Sequence, residues 1–157
     1  MRPALADAAD RARADARVMQ SALDGRHLPP YLPGEPRGLA AAIVAARIAP
    51  VLVDAVRETH GIARWSRRAY EEVFLGEAMR AWRPDLEVAH GRGVIVTASR
   101  LCPVASGAAR DARVCDACQA VQREAARQAL GTRAGDVRFP MLLARGDRAC
   151  EMRVELR

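Results

Sequence analysis

The chain has 157 residues, half of them apolar and 28% charged, a balance that fits one folded domain and excludes wholesale disorder. Its net charge of +6 rests on arginine alone, since the 25 basic residues include no lysine; with abundant alanine, this points to a GC-rich bacterial genome rather than to a function. Acids interleave with the arginines and only 4% of residues are aromatic, which argues against nucleic acid as a partner.

The first twenty residues carry acids and arginines where a secretory signal needs an apolar core. "LAAAIVAARIAPVLVDAV" is interrupted by Arg47, Pro50 and Asp54, so no run reads as a membrane span. The expectation is a cytoplasmic protein with no membrane contact, where thiols stay reduced and cysteines signal metal or chemistry more often than disulfides.

In chain order, residues 3–24 read as a polar helix. "HLPPYLPGEPRG" at 27–38 reads as a proline-rich linker, so residues 1–37 form an arm ahead of one domain over 38–157. Residues 39–60 form a second helix with Ile43, Val44, Ile48, Val51, Leu52, Ala55 and Val56 at helical spacing, kinked or restarted at Pro50 and stopped by Gly61. A third, about 65–82, turns Tyr70, Val73, Phe74, Ala78, Ala81 and Trp82 to the core and ends at Arg83-Pro84. "VIVTASR" at 94–100 is β-branched and short, hence a strand; residues 115–130 form a further helix stopped by Gly131.

"DVRFPMLLA" and "ACEMRVEL" alternate on either side of "RGDR". With Gly146-Asp147 as a two-residue turn, Leu143 faces Cys150, Met141 faces Met152, Phe139 faces Val154 and Val137 faces Leu156. The other face then pairs Arg138 with Glu155 and Asp136 with Arg157. Pro140 marks an unpaired strand edge. The fold class is α+β: N-terminal helices packed on a small antiparallel sheet that ends in a C-terminal β-hairpin.

Three of the four cysteines lie in "LCPVASGAARDARVCDAC", and the fourth is Cys150. Proline favours a first helical turn, so Cys102 before Pro103 falls at an N-cap. Cys115 and Cys118 share a face at the opening of the next helix. Helix N-termini favour thiolate, and Arg100, Arg110 and Arg113 lie close by in sequence. In the hairpin register Cys150 points inward with the apolar stripe. Four convergent thiolates suit a soft metal: iron–sulfur, or alternatively tetrahedral zinc. The spacing Cys-x12-Cys-x2-Cys-x31-Cys matches neither a zinc ribbon nor a ferredoxin run, and buried cysteine also serves as a small hydrophobe.

"LCPVA", "VCDAC" and "ARGDRACEMRV" resemble the C-terminal half of the L-2-amino-thiazoline-4-carboxylic acid hydrolase-like family. They are also similar to 4-vinyl-reductase-type small-ligand domains. A comparable layout occurs in the sensor half of repressors of iron–sulfur assembly, where such cysteines hold a cluster. The resemblance covers residues 94–157 and implies Cys102, Cys115 and Cys150 as ligands or reactive thiols. Cys118 departs from the hydrolase pattern, which favours a fourth ligand over hydrolase activity.

The leading expectation is thus a thiolate metal site at Cys102, Cys115, Cys118 and Cys150, serving as sensor, accessory or catalytic centre, with Arg100 and Arg113 flanking the bound group. The rival is a cysteine hydrolase of a small sulfur or nitrogen heterocycle, with Cys102 or Cys115 as nucleophile and His90 as base. A third is a non-catalytic pocket for a small molecule. His60, at a helix end, reads as structural. The sequence leaves open whether the chain is an enzyme and whether it forms a homo-oligomer.

Overall fold

The computed structural model describes residues 38–157, with residues 10, 11, 13, 14 and 17 of a preceding helix. The expected arm and linker over 1–37, with His27, therefore fall almost wholly outside the described residues.

Helix α1, Leu39–Thr59, runs unbroken through Pro50. Proline removes one helical hydrogen bond, to the carbonyl of Ala46, and Ala46 is exposed, so water can satisfy that oxygen and no break is forced. The buried stripe is Ala40, Ala41, Val44, Ala45, Ala49, Leu52, Val53 and Val56. It is rotated from the expected one: Ile43 and Val51 face outward, Val51 at 65% exposure. The smaller alanines win the inner face because α1 packs along α4, Ala112–Leu130, whose own inner stripe carries Ala117, Ala125, Ala126 and Ala129. Two alanine-rich stripes let the backbones approach closely. α1 is long and apolar enough to cross a membrane, yet this inner stripe belongs to the core, as in a core helix.

Helix α2, residues 67–82, starts at Ser66, whose hydroxyl caps the Ala69 N–H at 3.0 Å. Between Tyr70 and Met79 it is wound as a π-helix, whose hydrogen bonds span five residues rather than four. The buried positions follow that wider turn: Tyr70, Phe74, Leu75, Ala78 and Met79, at steps of four and five. This is why Leu75 and Met79 point inward while Val73 and Ala81, expected at 3.6 spacing, are only half-buried. Tyr70 stacks on Phe74 at 5.4 Å and Trp65 meets Phe74 edge-on at 6.1 Å.

The sheet has four antiparallel strands in the order β1-β2-β4-β3: β1 Glu87–His90, β2 Val94–Ser99, β3 Ala134–Met141 and β4 Cys150–Leu156. Helix α3, Ala105–Arg110, precedes α4. Helices packed against an antiparallel sheet make the fold α+β, as expected, and Pro140 sits on an edge strand.

The hairpin register differs from expectation. Val137 faces Val154, Arg138 faces Arg153, and Ala134 faces Leu156, with two irregularities along β3. The cause is the connection over residues 142–149, too long for a two-residue turn. It holds a 3₁₀ turn at Leu143–Arg145, Gly146 at φ 89, and an Asp147 carboxylate that accepts the Leu142 N–H at 2.7 Å. At Val137 and Arg138 the slip is two residues, which keeps every side chain on its face. Arg138 still reaches Glu155 at 3.7 Å, whereas Asp136 bonds Arg138 instead of Arg157. Cys150, Met152 and Val154 consequently share the inward face.

One core runs from Val44 through α2 and α4 to Val154. Within it Tyr70 is 0% exposed and its hydroxyl has no hydrogen-bond partner among the described residues; burial pushes its pKa well above the ordinary value. An unmade buried hydrogen bond is costly. Tyr70→Phe is therefore expected to leave stability unchanged or to raise it by about 1 kcal/mol, read from the chemical-denaturation midpoint.

Candidate functional site

Three elements deliver the thiols to one place. Cys102 follows β2, and Cys150 opens the neighbouring strand β4, with its backbone paired to Ser99. Asp85 fixes the bend between β2 and Cys102 by accepting from the Ser99 hydroxyl (2.7 Å) and from the N–H groups of Arg100 (2.6 Å) and Leu101 (3.1 Å). Those bonds, the Ser99 hydroxyl foremost, hold the Asp85 carboxyl below the usual range. Cys115 and Cys118 come from the first turns of α4, which begins at Ala112 with Asp111 as its cap. All four sulfurs line one narrow cavity together with Arg83, Thr97, Val104 and Phe139. Phe139 is held there by Arg123, which stacks on its ring at 5.3 Å and bonds the Val137 carbonyl at 3.1 Å.

The thiols pair with donors rather than with a common centre. Cys118, 4% exposed, accepts from Gln122 Nε2 at 3.1 Å and from the Arg83 guanidinium at 3.6 Å. Cys115 accepts from Gln119 Nε2 at 3.6 Å. Cys102 and Cys150 share a hydrogen bond, and Cys150 also accepts the Leu143 N–H at 3.4 Å.

Their acidities divide accordingly. Burial raises Cys118 and Cys115. Cys102 is raised because it holds the proton that it shares with Cys150, and burial adds to this. Only Cys150 is lowered, to about 6, first by the Cys102 thiol, then by the Leu143 N–H and the nearby Arg83 charge against the opposing cost of burial. The expectation that helix N-termini would make Cys102, Cys115 and Cys118 thiolates is corrected: α3 starts only at Ala105, and burial outweighs the dipole at α4.

The cation at this site is one the sequence reading passed over. Arg83 is 5% exposed, stacks on Trp82 at 5.1 Å, and has an Nε without a partner. Among the described residues no carboxylate pairs with it. Its position at the end of α2, just past the π-wound stretch, is the signal that could have found it. Arg100 is exposed, with its backbone on Asp85. Arg113 clasps Asp111 through Nε at 2.8 Å. Neither lines the cavity. His90 is also elsewhere: it lies on β1, 51% exposed, 3.4 Å from the Glu71 carboxylate, too remote to act as a base. His60, as expected, serves the fold, 3.5 Å from Glu77.

The metal reading is overturned. Among the described residues no group of three or more His, Cys, Asp or Glu side chains is disposed to hold an ion. The physical reason is the pairing just described: each sulfur is turned to its own amide, guanidinium or thiol partner. With it go the iron–sulfur and zinc assignments of Cys102, Cys115, Cys118 and Cys150.

The lowered acidity of Cys150 has a direct readout. Of the four sulfurs Cys150 is the one most ready to ionise near neutral pH, because its hydrogen bonds favour the anion over the thiol. Iodoacetamide alkylation of Cys150, followed by peptide mass mapping, should rise with a midpoint near pH 6. Cys102→Ala, which removes the donated proton, should move that midpoint upward by a unit or more, on the order of the effect of one hydrogen bond to a charged group.

No family model and no curated protein matches the chain. Among solved structures it is similar in fold to a trafficking protein particle complex subunit 3 from Naegleria fowleri, determined covalently bound to palmitic acid. The TM-score is 0.60 at 13% identity, over 92% of this chain and 95% of that one. At that identity the likeness is one of fold. It gives no support to the expected hydrolase of a small heterocycle, which His90 had already lost, nor to a metal protein.

Proposed function

We propose that the chain is a cytoplasmic thiol-switch protein in which Cys102 and Cys150 interconvert between dithiol and disulfide. The observation that carries this reading is the pair itself: Cys102 and Cys150 are both half-buried in one cavity and hydrogen-bonded to each other, and the Leu143 N–H at 3.4 Å favours the Cys150 anion. An accessible thiolate of low pKa beside a second thiol is the arrangement that oxidises reversibly. In a reducing compartment such disulfides are transient and signalling rather than structural. Cys115 and Cys118 stay protonated and serve as packing beside Gln119 and Gln122.

The neighbour in fold is a subunit of a larger complex, which supports an assembly partner, another protein chain or a second copy, over a free small molecule. That neighbour's covalent palmitate also favours a second reading. The Cys150 thiolate attacks the carbonyl carbon of an acyl thioester donor, the donor's C–S bond breaks, and its thiol leaves. Val104, Leu142 and Met152, which line the cavity, would meet the start of an acyl chain.

Equilibration of the reduced protein in graded dithiothreitol redox buffers, followed by thiol trapping and peptide mapping, should yield one reversible disulfide joining Cys102 and Cys150, with Cys115 and Cys118 free. Another pairing, or none short of general oxidation, removes the switch. Incubation with palmitoyl-CoA decides the second reading: a hydroxylamine-labile adduct on Cys150 supports it, and unmodified protein ends it.

A further inference from the structure

On the footing of that thiol-switch reading, we propose that the oxidant is a small hydroperoxide, with Cys150 the attacking sulfur, Cys102 the resolving one, and Arg83 the donor to the peroxide oxygens. Three features of the cavity point there. Its volume is ≈ 20 Å³, room for about one water molecule, so a small reagent fits it better than a bulky one. Arg83 lines the cavity and its Nε is buried with no partner among the described residues, and such a donor gains most from an oxygen brought within reach. The two half-buried sulfurs are hydrogen-bonded to each other, Cys150 opening β4 and Cys102 lying three residues past its ladder partner Ser99, so the second can reach the first without a change of fold.

The steps balance. The Cys150 thiolate attacks one peroxide oxygen, the S–O bond forms as O–O breaks, and the departing alkoxide or hydroxide takes the proton of the Cys102 thiol. Cys150 is now a sulfenic acid, oxidised by two electrons, and the peroxide is reduced to an alcohol or water. The Cys102 thiolate then attacks the Cys150 sulfur, the S–S bond forms, and hydroxide leaves and is protonated to water. The sum is two thiols and one hydroperoxide giving one disulfide, an alcohol or water, and water.

Roles follow from placement. Cys118 is 4% exposed and held by Gln122. Cys115 has the Gln119 amide beside it. Burial favours the thiol at both, which leaves Cys150 the better nucleophile.

The test uses the full chain, reduced and then freed of reductant, mixed with hydrogen peroxide or with cumene hydroperoxide. Hydrogen peroxide should form the Cys102–Cys150 disulfide at least ~10-fold faster than it oxidises the same chain unfolded in denaturant, as a low-pKa thiol predicts. Cumene hydroperoxide should show no such advantage. In Cys102→Ser, dimedone should trap a sulfenic acid on Cys150; Cys150→Ser and Arg83→Gln should each lose the fast phase. Thermal melts check that the variants fold, and Cys102→Ala replaces any serine variant that does not. If the disulfide forms in redox buffer but peroxide reacts at the unfolded-chain rate, or dimedone marks Cys115 or Cys118, the peroxide assignment fails and the switch stands. If no disulfide forms by either route, both fall.

Discussion

The site depends on one buried cation. Arg83 is 5% exposed and no carboxylate among the described residues answers it. An ion taken out of water costs several kcal/mol unless something of opposite charge compensates. The sulfur that meets the guanidinium is that of Cys118, at 3.6 Å, and the charge favours the anionic form of Cys118 and Cys150 alike. At Cys150 the Cys102 thiol and the Leu143 N–H add to that preference.

This pairing explains how architecture and chemistry are joined. Arg83 is placed by α2, whose π-wound segment sets the rotation of the helix where it ends. Cys102 is placed by the Asp85 clamp and Cys150 by the β2–β4 ladder. The Leu143 donor comes from the 3₁₀ turn between β3 and β4. Thr97 of β2 and Gln119 and Gln122 of α4 complete the polar lining from within their elements.

Much of this was legible in the sequence, and the parts that were not have physical causes. The inward direction of Cys150 followed from alternation within β4 alone, which puts it on the face of Met152 and Val154 whatever the register with β3; the register itself did not follow, because nothing local announced the longer 142–149 connection. The convergence of the four cysteines could be read from their elements. Their chemistry could not, since it turns on Gln122, Gln119 and Arg83, whose side chains reach the sulfurs only after α2 and α4 pack. The inner face of α1 was misread because side-chain size, not hydrophobicity, decides which stripe fits another alanine-rich helix. The inward set of α2 was misread because a 3.6 period cannot show a π-turn.

Oxidation sets two effects against each other. Joining residues 102 and 150 closes a long loop, which in the chain-entropy account stabilises the folded form by about 4 kcal/mol. The same bond removes a sulfur anion that the Arg83 charge favours, and a buried cation without compensation is costly. The two effects oppose each other, so the disulfide would stabilise the fold by less than loop closure alone.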